Sequence, residues 1–417
     1  MKKLFIVLAI LVAMLVAVNT NAQWEQISNG MGSNAAIYSF TSIGTTIFVG
    51  TIEGIYKSTN DGINWTQTGL NNKQVFCLTT LGNNIFAGTG DSGVYISTNN
   101  GTNWSKTALN NKQVYCLATL GSNLFAGIID WSIPSSGGIY RSTNNGSNWT
   151  YTTMNSSVAS FTTLGTNIFA GTDSNSTGSG KIYLSTNSGL NWSQTSYNSR
   201  AVWSLTTIEN NIFAGTYAYG NTPTGVYLST NLGANWIQTS SNNRNTISLT
   251  TIGSDIITGI YDFNNSCGVY LSTNNGGIWI NKNQGFNVPP MVRSFLVTSN
   301  FIFAGTESNS IWRRSLSEII GIQNISTEIP FSYSLSQNYP NPFNPTTNIK
   351  FSIIKTEQVK LIVYNVQGRQ VQALVNERLQ PGTYETSFDG SLLNSGVYFY
   401  KLITDGFTET KKMLLIK

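Results

Sequence analysis

The sequence predicts an all-β protein: a seven-bladed β-propeller closed by an N-terminal strand, followed by a small Ig-like β-sandwich. Three observations support this prediction. Two short phrases recur at intervals of roughly 40 residues, a period typical of propeller blades. Each repeat contains four short strand patterns separated by Asn- and Gly-rich turns, with no segment of helical period. The last part of the chain loses the repeat but keeps alternating strand patterns.

The two phrases define the blades. The first is Phe-Ala-Gly-Thr or a variant, and its seven copies begin at Phe48, Phe86, Phe125, Phe169, Phe213, Ile257 and Phe303. The second is Ser-Thr-Asn-x-Gly-x-Asn-Trp, with five copies and a sixth altered one, ending at Trp65, Trp104, Trp149, Trp192, Trp236 and Trp279. Asn and Gly supply the positive φ that tight hairpin turns require. Seven units of four strands predict a propeller rather than a helical solenoid.

The two ends of the repeat region are expected to meet. The last repeat has three strand patterns and no Trp strand of its own, whereas Trp24-Glu-Gln-Ile near the N terminus matches Trp65-Thr-Gln-Thr. We therefore expect residues 23–27 to lie beside residues 310–314 and complete the seventh blade, which also protects an open sheet edge. Trp24 then joins the six phrase-ending tryptophans as a seventh equivalent side chain, and this equivalence predicts packing between blades.

The first 22 residues have the order of a secretory signal. Lys2 and Lys3 precede an apolar run from Leu4 to Val18, and small residues lead to Ala22. The run is shorter than the ~20 residues that span a bilayer, so we expect cleavage after Ala22 and no transmembrane segment in the mature chain. A retained N-terminal anchor is the alternative. The predicted organisation is a signal peptide (1–22), a propeller (23–317), a linker (318–331) and a C-terminal domain (332–417).

Composition excludes several classes of function. The net charge of +5 is spread along the chain without a basic run, which disfavours nucleic-acid binding. The chain has no histidine, so Ser-His-Asp and Cys-His catalysis are excluded, and the three scattered cysteines do not form a thiolate metal site. Cys77 and Cys116 stand where other repeats carry Ser, which favours small buried side chains over a disulfide. No cofactor or metal is predicted.

The second phrase resembles the Asp-box of neuraminidase-like and sortilin-like propeller repeats. Asparagines occupy the acidic position of that motif: Asn60, Asn99, Asn144, Asn187, Asn231 and Asn274. The resemblance implies a turn in which the Asn side chain binds backbone amides, Gly takes a positive φ and Trp anchors the turn. It does not carry sialidase activity here, because the first blade contains no arginine for the arginine triad of those enzymes.

The C-terminal domain resembles type A sorting domains of the type IX secretion system, the Por family. Residues 335–345, Leu-Ser-Gln-Asn-Tyr-Pro-Asn-Pro-Phe-Asn-Pro, are similar to the opening of those domains, and Pro381-Gly382 and Ser395-Gly396 fit their later turns. The resemblance implies an Ig-like sandwich that engages the secretion machinery through residues 332–417. It also implies a protein that is extracellular or attached to the outer face of the outer membrane.

Charged residues are expected to ring one face of the propeller. We label the strands of each blade A to D in chain order; the B–C and D–A loops then share a face. Acidic candidates in the B–C loops include Asp130, Asp173 and Asp262, and cations in the D–A loops are Lys73, Lys112, Arg200 and Arg244. The alternative is that these are salt bridges within blades or solvated rim charges.

Longer B–C loops in blades three to six add aromatic candidates for a binding face: Trp131, Tyr217, Tyr219, Tyr261 and Phe263. Exposed aromatic rings beside carboxylates suit sugar stacking or a protein patch, although these rings could instead cap their own loops.

The favoured function is therefore a non-enzymatic cell-surface or released module that binds an unknown glycan or protein. One alternative is a polysaccharide-active hydrolase or lyase that uses Asp130, Asp173 or Asp262. Another is a structural envelope or assembly factor.

Overall fold

A computed structural model describes residues 23–31, 35–130, 137–152, 154–173, 179–218, 224–241, 244–261, 267–319, 321–326, 328–390 and 393–417. The predicted signal peptide, residues 1–22, lies outside this set. No helix within these ranges is long and apolar enough to cross a membrane.

Seven antiparallel four-stranded sheets form the propeller, as predicted. The A strands are β2 (Ile37–Ile43), β6 (Val75–Leu81), β10 (Val114–Leu120), β14 (Val158–Leu164), β18 (Ala201–Ile208), β22 (Asn245–Ile252) and β26 (Val292–Val297). The B strands are β3 (Thr46–Thr51), β7 (Asn84–Thr89), β11 (Asn123–Ile128), β15 (Asn167–Thr172), β19 (Asn211–Tyr217), β23 (Asp255–Tyr261) and β27 (Phe301–Thr306).

The outer half of each blade consists of strands C and D. The C strands are β4 (Gly54–Ser58), β8 (Val94–Ser97), β12 (Gly138–Ser142), β16 (Gly180–Ser185), β20 (Val226–Ser229), β24 (Gly268–Ser272) and β28 (Ile311–Ser315). The D strands are β5 (Thr66–Asn71), β9 (Ser105–Lys106), β13 (Thr150–Tyr151), β17 (Ser193–Ser199), β21 (Ile237–Gln238), β25 (Ile280–Asn281) and, from the N terminus, β1 (Glu25–Gln26).

The N-terminal strand closes the ring, which confirms the sequence prediction. Strand β1 pairs antiparallel with β28, with Glu25 opposite Arg313 and Gln26 opposite Trp312. The backbone N–H of Ile27 extends the pairing by donating to the carbonyl of Ile311 at 2.9 Å. The seventh blade is therefore built from both ends of the repeat region, and β1 covers the outer edge of β28.

Apolar side chains of neighbouring blades share their cores. The B-strand Phe48 of blade 1, for example, packs in one cluster with Val75, Ile85 and Trp104 of blade 2. Six further clusters of this kind join the remaining pairs of neighbours, including blades 6 and 7, where Trp24 takes the place of Trp104. The tryptophans thus pack between blades, as their equivalence in sequence indicated.

The asparagine turns between strands C and D have the predicted hydrogen bonds. In blade 3, Ser142 Oγ accepts the N–H of Gly146 at 2.9 Å, and Asn144 Oδ1 accepts the N–H of Asn148 at 2.9 Å. Gly146 has a φ of 82°, and a Cβ there would come within 2.8 Å of the Thr107 side chain of blade 2. Glycine is therefore required both by the turn and by the contact with the preceding blade.

Cys77 and Cys116 are buried, and neither forms a disulfide. Cys116 Sγ lies 3.4 Å from the carbonyl of Val158 in the next blade, and the equivalent Ser160 Oγ donates to the Val202 carbonyl at 2.9 Å. Cysteine and serine thus fill the same small site between blades. This confirms the prediction that Cys77 and Cys116 are small buried side chains.

The C-terminal domain is a sandwich of two antiparallel sheets. Its strands are β29 (Ile322–Ser326), β30 (Ser334–Leu335), β31 (Thr346–Ile353), β32 (Glu357–Tyr364), β33 (Gln370–Leu379), β34 (Gly382–Asp389), β35 (Gly396–Ile403) and β36 (Thr408–Leu415). One sheet has the order β29-β34-β31-β30 and the other β33-β32-β35-β36. The core between them includes Phe351, Val363, Tyr400 and Met413.

The segment between the two domains is more structured than the expected linker of residues 318–331. A single short helix, Leu316–Ile319, follows β28, and β29 then pairs antiparallel with β34 at the edge of the sandwich. The strand partner lies about 60 residues further along the chain, so no local hairpin pattern in the sequence indicates this strand.

Candidate functional site

The B–C and D–A loops meet on one face of the propeller, which we name the loop face. The N–H of Asn72 donates to the carbonyl of Glu53 at 2.8 Å, and the N–H of Gly90 donates to the carbonyl of Gln74 at 3.0 Å. Similar bonds join Asp173 to Ser157 at 2.9 Å and Glu307 to Met291 at 3.1 Å. We name the opposite face, with the A–B hairpins and the asparagine turns, the turn face.

Each A strand has an irregularity in its pairing at the same place, near the loop face. The register with strand B shifts across one unpaired residue in every blade: Tyr38, Phe76, Tyr115, Ala159, Trp203, Ile247 and Arg293. Such a β-bulge re-aims the extra side chain. Here the seven bulged residues line a single cavity of about 170 Å³, together with Ser39 and Cys77. We call this cavity the axial socket.

Four aromatic rings form an arc around the socket. Successive ring centroids are 5.3 Å apart between Tyr38 and Phe76, 5.2 Å between Phe76 and Tyr115, and 6.1 Å between Tyr115 and Trp203. The last contact joins blades 3 and 5, because the bulged residue of blade 4 is the small Ala159. These distances are those of favourable edge-to-face and tilted pairs.

Arg293 is the one cation among the seven bulged residues. It forms an ion pair with Glu307 of the same blade, and its guanidinium lies over the ring of Tyr38, 5.5 Å from the centroid. The positive charge in the socket is therefore already matched by a carboxylate and an aromatic face.

Two residues of the aromatic arc, Tyr115 and Trp203, also carry a polar group. Burial raises the pKa of Tyr115 to about 12, with the charges of Arg293 and Asp173 acting on it in opposite directions. Tyr115 is thus a neutral hydroxyl at physiological pH, able to donate and accept. The indole Nε1–H of Trp203 is shielded from solvent and has no hydrogen-bond partner among the described residues. The indole N–H groups of Trp192, Trp236 and Trp279, which pack between blades, are likewise without a partner, so this feature is not particular to the socket.

Of the five predicted aromatic residues, the structure describes Tyr217 and Tyr261. Tyr217 is buried and stacks on Trp203, with centroids 4.8 Å apart, while Tyr261 packs beside the same cluster with Met291. These two side chains support the wall of the socket. Trp131, Tyr219, Phe263 and the acidic Asp262 lie outside the described residues.

The predicted charged residues that the structure describes differ in burial and in their partners. Lys73 forms an ion pair of 3.2 Å with Asp91 within blade 2, which agrees with the alternative of intra-blade salt bridges. Arg244 lies over the ring of Tyr270, 5.0 Å from its centroid, and Lys112 is exposed. Asp173 is only 6% exposed at the end of β15. Arg200 and Asp130 are half-buried.

Sequence reasoning missed the residues that line the socket, namely Tyr38, Phe76, Tyr115, Trp203 and Arg293. A signal was present, because the position before the repeated Ser or Cys ranges from Ala to Trp to Arg while its neighbours hardly change. Variation at one position among otherwise similar repeats indicates a side chain that is not constrained by the packing within and between blades. Within the described residues, no group of three or more acidic or cysteine side chains is placed to hold a metal ion.

Family models match two stretches of the chain. Residues 337–417 match the secretion system C-terminal sorting domain family, Por_Secre_tail. Residues 10–117 match the DUF6242 beta propeller domain. A search of curated proteins gave no match.

Solved structures with the same fold share little sequence with this chain. YCF48 from Cyanidioschyzon merolae aligns with a TM-score of 0.54 and 14% identity over 70% of this chain and 98% of its own. YCF48 bound to D1 peptide aligns with a TM-score of 0.54 and 15% identity over 72% and 99%. The extracellular domain of the hybrid two component system BT4673 from B. thetaiotaomicron gives 0.56 and 16% over 84% of this chain and 47% of that chain. These likenesses concern the fold.

Proposed function

Starting from a β-propeller protein that is exported through the type IX secretion route by its C-terminal sorting domain, we propose that it is a non-enzymatic binding module. It acts outside the cell or at its surface, and its ligand, a glycan or a protein, is held at the axial socket. In this proposal the seven carboxylates and cations predicted from the loops belong to the binding face and do not include a catalytic pair.

One observation carries the proposal. Seven side chains from seven blades converge on one cavity, and they include four aromatic rings and an arginine. Between the blades, by contrast, equivalent positions hold the repeated Val, Ile, Phe and Ala side chains of ordinary cores. A concave site that combines aromatic rings with a few convergent polar groups is a usual form of a ligand site.

The path of the chain supports an outward-facing socket. Strand β28 runs from the loop face to the turn face, where the chain leaves the propeller for the sorting domain. Gln372 of the sandwich donates to Thr273 Oγ1, in the asparagine turn of blade 6, at 3.4 Å. The sandwich therefore lies on the turn face and leaves the socket uncovered.

The test fills the socket without disturbing the blades. Ala159→Phe places in blade 4 the side chain that blade 2 carries at the equivalent position, Phe76, so the bulge accommodates it. An aromatic ring occupies most of a cavity of this size. We expect the mature chain to retain glycan or envelope-protein ligands in a binding screen, and Ala159→Phe to lose them.

The matched control is Ala234→Phe, which adds the same ring at an exposed position on the turn face. Binding should be unchanged in this variant. The proposal fails if Ala159→Phe, shown by circular dichroism to be folded, retains every ligand that the unmodified chain binds.

A further inference from the structure

We propose that Asn29 is a site of deamidation, the conversion of an asparagine by water to aspartate and isoaspartate, and that the asparagine turns shield three other asparagines from the same reaction. The proposal is independent of the binding function and rests on a comparison within the chain. Four asparagines are followed directly by glycine: Asn29, Asn100, Asn145 and Asn275.

An Asn-Gly pair is chemically labile because glycine has no side chain to shield its backbone nitrogen. That nitrogen attacks the side-chain carbonyl carbon of the asparagine and a C–N bond forms. The bond from this carbon to Nδ2 breaks, and ammonia leaves with the proton that the backbone nitrogen gave up to water. Water then opens the cyclic imide at one of its two carbonyl groups and leaves aspartate or isoaspartate. The reaction needs no cofactor, but the glycine nitrogen must lose its proton and reach the side chain.

The asparagine turns hold the attacking nitrogen in place. The N–H groups of Gly101, Gly146 and Gly276 each donate to the Oγ of the serine four residues earlier, at 2.9 Å. All three glycines are buried, whereas the asparagines directly before them are exposed. A buried amide gives up such a hydrogen bond only when the turn opens locally. The turn therefore protects the pair through the glycine nitrogen and not by covering the asparagine.

The Asn29–Gly30 pair lies outside these turns. Both residues are exposed, and the Gly30 N–H donates to no acceptor among the residues that the structure describes. The pair sits in a short turn, closed by a hydrogen bond of 3.0 Å from the Met31 N–H to the Ser28 carbonyl. This bond leaves the nitrogen between them open to water. Asn29 therefore has the labile sequence without the protecting serine.

The reaction changes the contact between the N-terminal segment and blade 1. Asn29 Nδ2 donates to Asn64 Oδ1 at 2.6 Å on the exposed surface, and the Asn29 carbonyl accepts the Trp65 N–H at 2.8 Å. An aspartate side chain has no donor for Asn64. Isoaspartate adds a methylene group to the main chain and so displaces the carbonyl from Trp65. Deamidation of Asn29 therefore weakens the attachment of the closing strand β1 to blade 1.

The experiment incubates the mature chain, residues 23–417, in mildly alkaline buffer and follows each Asn-Gly peptide by mass spectrometry, with an assay for isoaspartate. The same chain unfolded in guanidinium chloride is the reference, because all four glycine nitrogens are then open to water. For each site, the rate in the folded chain is divided by the rate in the unfolded chain. We expect this ratio to be about tenfold or more higher at Asn29 than at Asn100, Asn145 and Asn275, which react only through local opening.

Ser142→Ala tests the protection directly. It removes the acceptor of the Gly146 N–H and should speed the conversion of Asn145 in the folded chain, while Asn100 and Asn275 serve as unchanged internal references. Thr143→Ala, at the exposed neighbouring position, is the matched control and should leave Asn145 protected.

Three results would overturn the proposal or one of its parts. If Asn29 stays unconverted in the folded chain while all four sites react in denaturant, Asn29 is not the deamidation site. Equal ratios at the four sites contradict the protection by the turns. If Ser142→Ala is folded by circular dichroism and Asn145 still does not react, the serine hydroxyl is not what protects it.

Discussion

The carboxylate of Glu25 accepts a hydrogen bond from Nε of Arg313 at 2.7 Å, although 288 residues separate the two in the chain. The same guanidinium donates to the carbonyl of Asp61 in blade 1 at 2.7 Å and lies over the ring of Phe301. Arg313 thus connects the N-terminal strand, the last blade and the first blade. We call this contact region, in which β1 pairs with β28 and Arg313 reaches blade 1, the seam; it closes the seven blades into a ring.

The seam should depend on burial more than on charge. Trp24 is 2% exposed, stacks on Phe286 and donates its Nε1–H to the Lys282 carbonyl at 2.8 Å. We expect Trp24→Ala to lower the free energy of unfolding by about 3–5 kcal/mol, measured by chemical denaturation. Glu25→Gln removes a carboxylate whose side chain is 55% exposed and should cost less than about 1 kcal/mol. Equal stability of the two variants would contradict this view of the seam.

Leu232 is strained in its turn. Its φ is 56°, in the left-handed region, where the equivalent turns carry Asp61, Asn100, Asn145, Ser188 and Asn275. A leucine side chain is sterically disfavoured in this region, whereas asparagine adopts it more readily. We expect Leu232→Asn to raise the free energy of unfolding by about 0.5–1 kcal/mol. Leu190→Asn makes the same replacement at an exposed position outside the left-handed region and should have little effect; a gain of the same size there would exclude strain as the cause.

The turn serines should matter more than their exposed neighbours. Ser142 is buried and its Oγ accepts the N–H of Gly146, so Ser142→Ala leaves a buried amide without a partner. We expect a loss of about 1–3 kcal/mol in the free energy of unfolding. Thr143→Ala, at the exposed next position, is the matched control and should change stability by less than about 0.5 kcal/mol. The turn assignment is wrong if the two variants unfold at the same denaturant concentration.

Lys282 should make stability depend on alkaline pH. Burial, and then the nearby charge of Arg314, lower the pKa of Lys282 from 10.5 to about 8. Between these two values the unfolded chain binds the proton more tightly than the folded chain does. The free energy of unfolding contributed by this group therefore rises as the pH goes from about 8 to 10.5.

Comparison with Lys282→Met isolates this contribution from other groups that titrate at alkaline pH. The stability of the unmodified chain relative to Lys282→Met should increase between pH 7.5 and 9.5, measured by urea unfolding. Lys106→Met, at an exposed lysine, is the control for the loss of one positive charge from the chain. A constant difference between the unmodified chain and Lys282→Met over this range would contradict the lowered pKa.

The turn phrases and the matching ends of the repeat region predicted most of the fold because their information is local. Asn144, Gly146 and Trp149 specify a turn and an interblade contact within eight residues, and six copies reveal the period. The strand β29 was not predicted because its partner β34 is remote in sequence. Its pairing depends on the completed sandwich.

The sequence by itself determined the number of blades, their order, the closing strand at Glu25–Gln26 and the sorting domain, because each follows from a pattern of a few residues repeated or matched along the chain. Only the tertiary structure decided which side chains face the axis. Side chains in a strand alternate with a period of two, so one inserted residue changes the direction of a side chain. The bulges at Tyr115, Trp203 and Arg293 make that change, and closure of the ring brings together residues that are far apart in the chain.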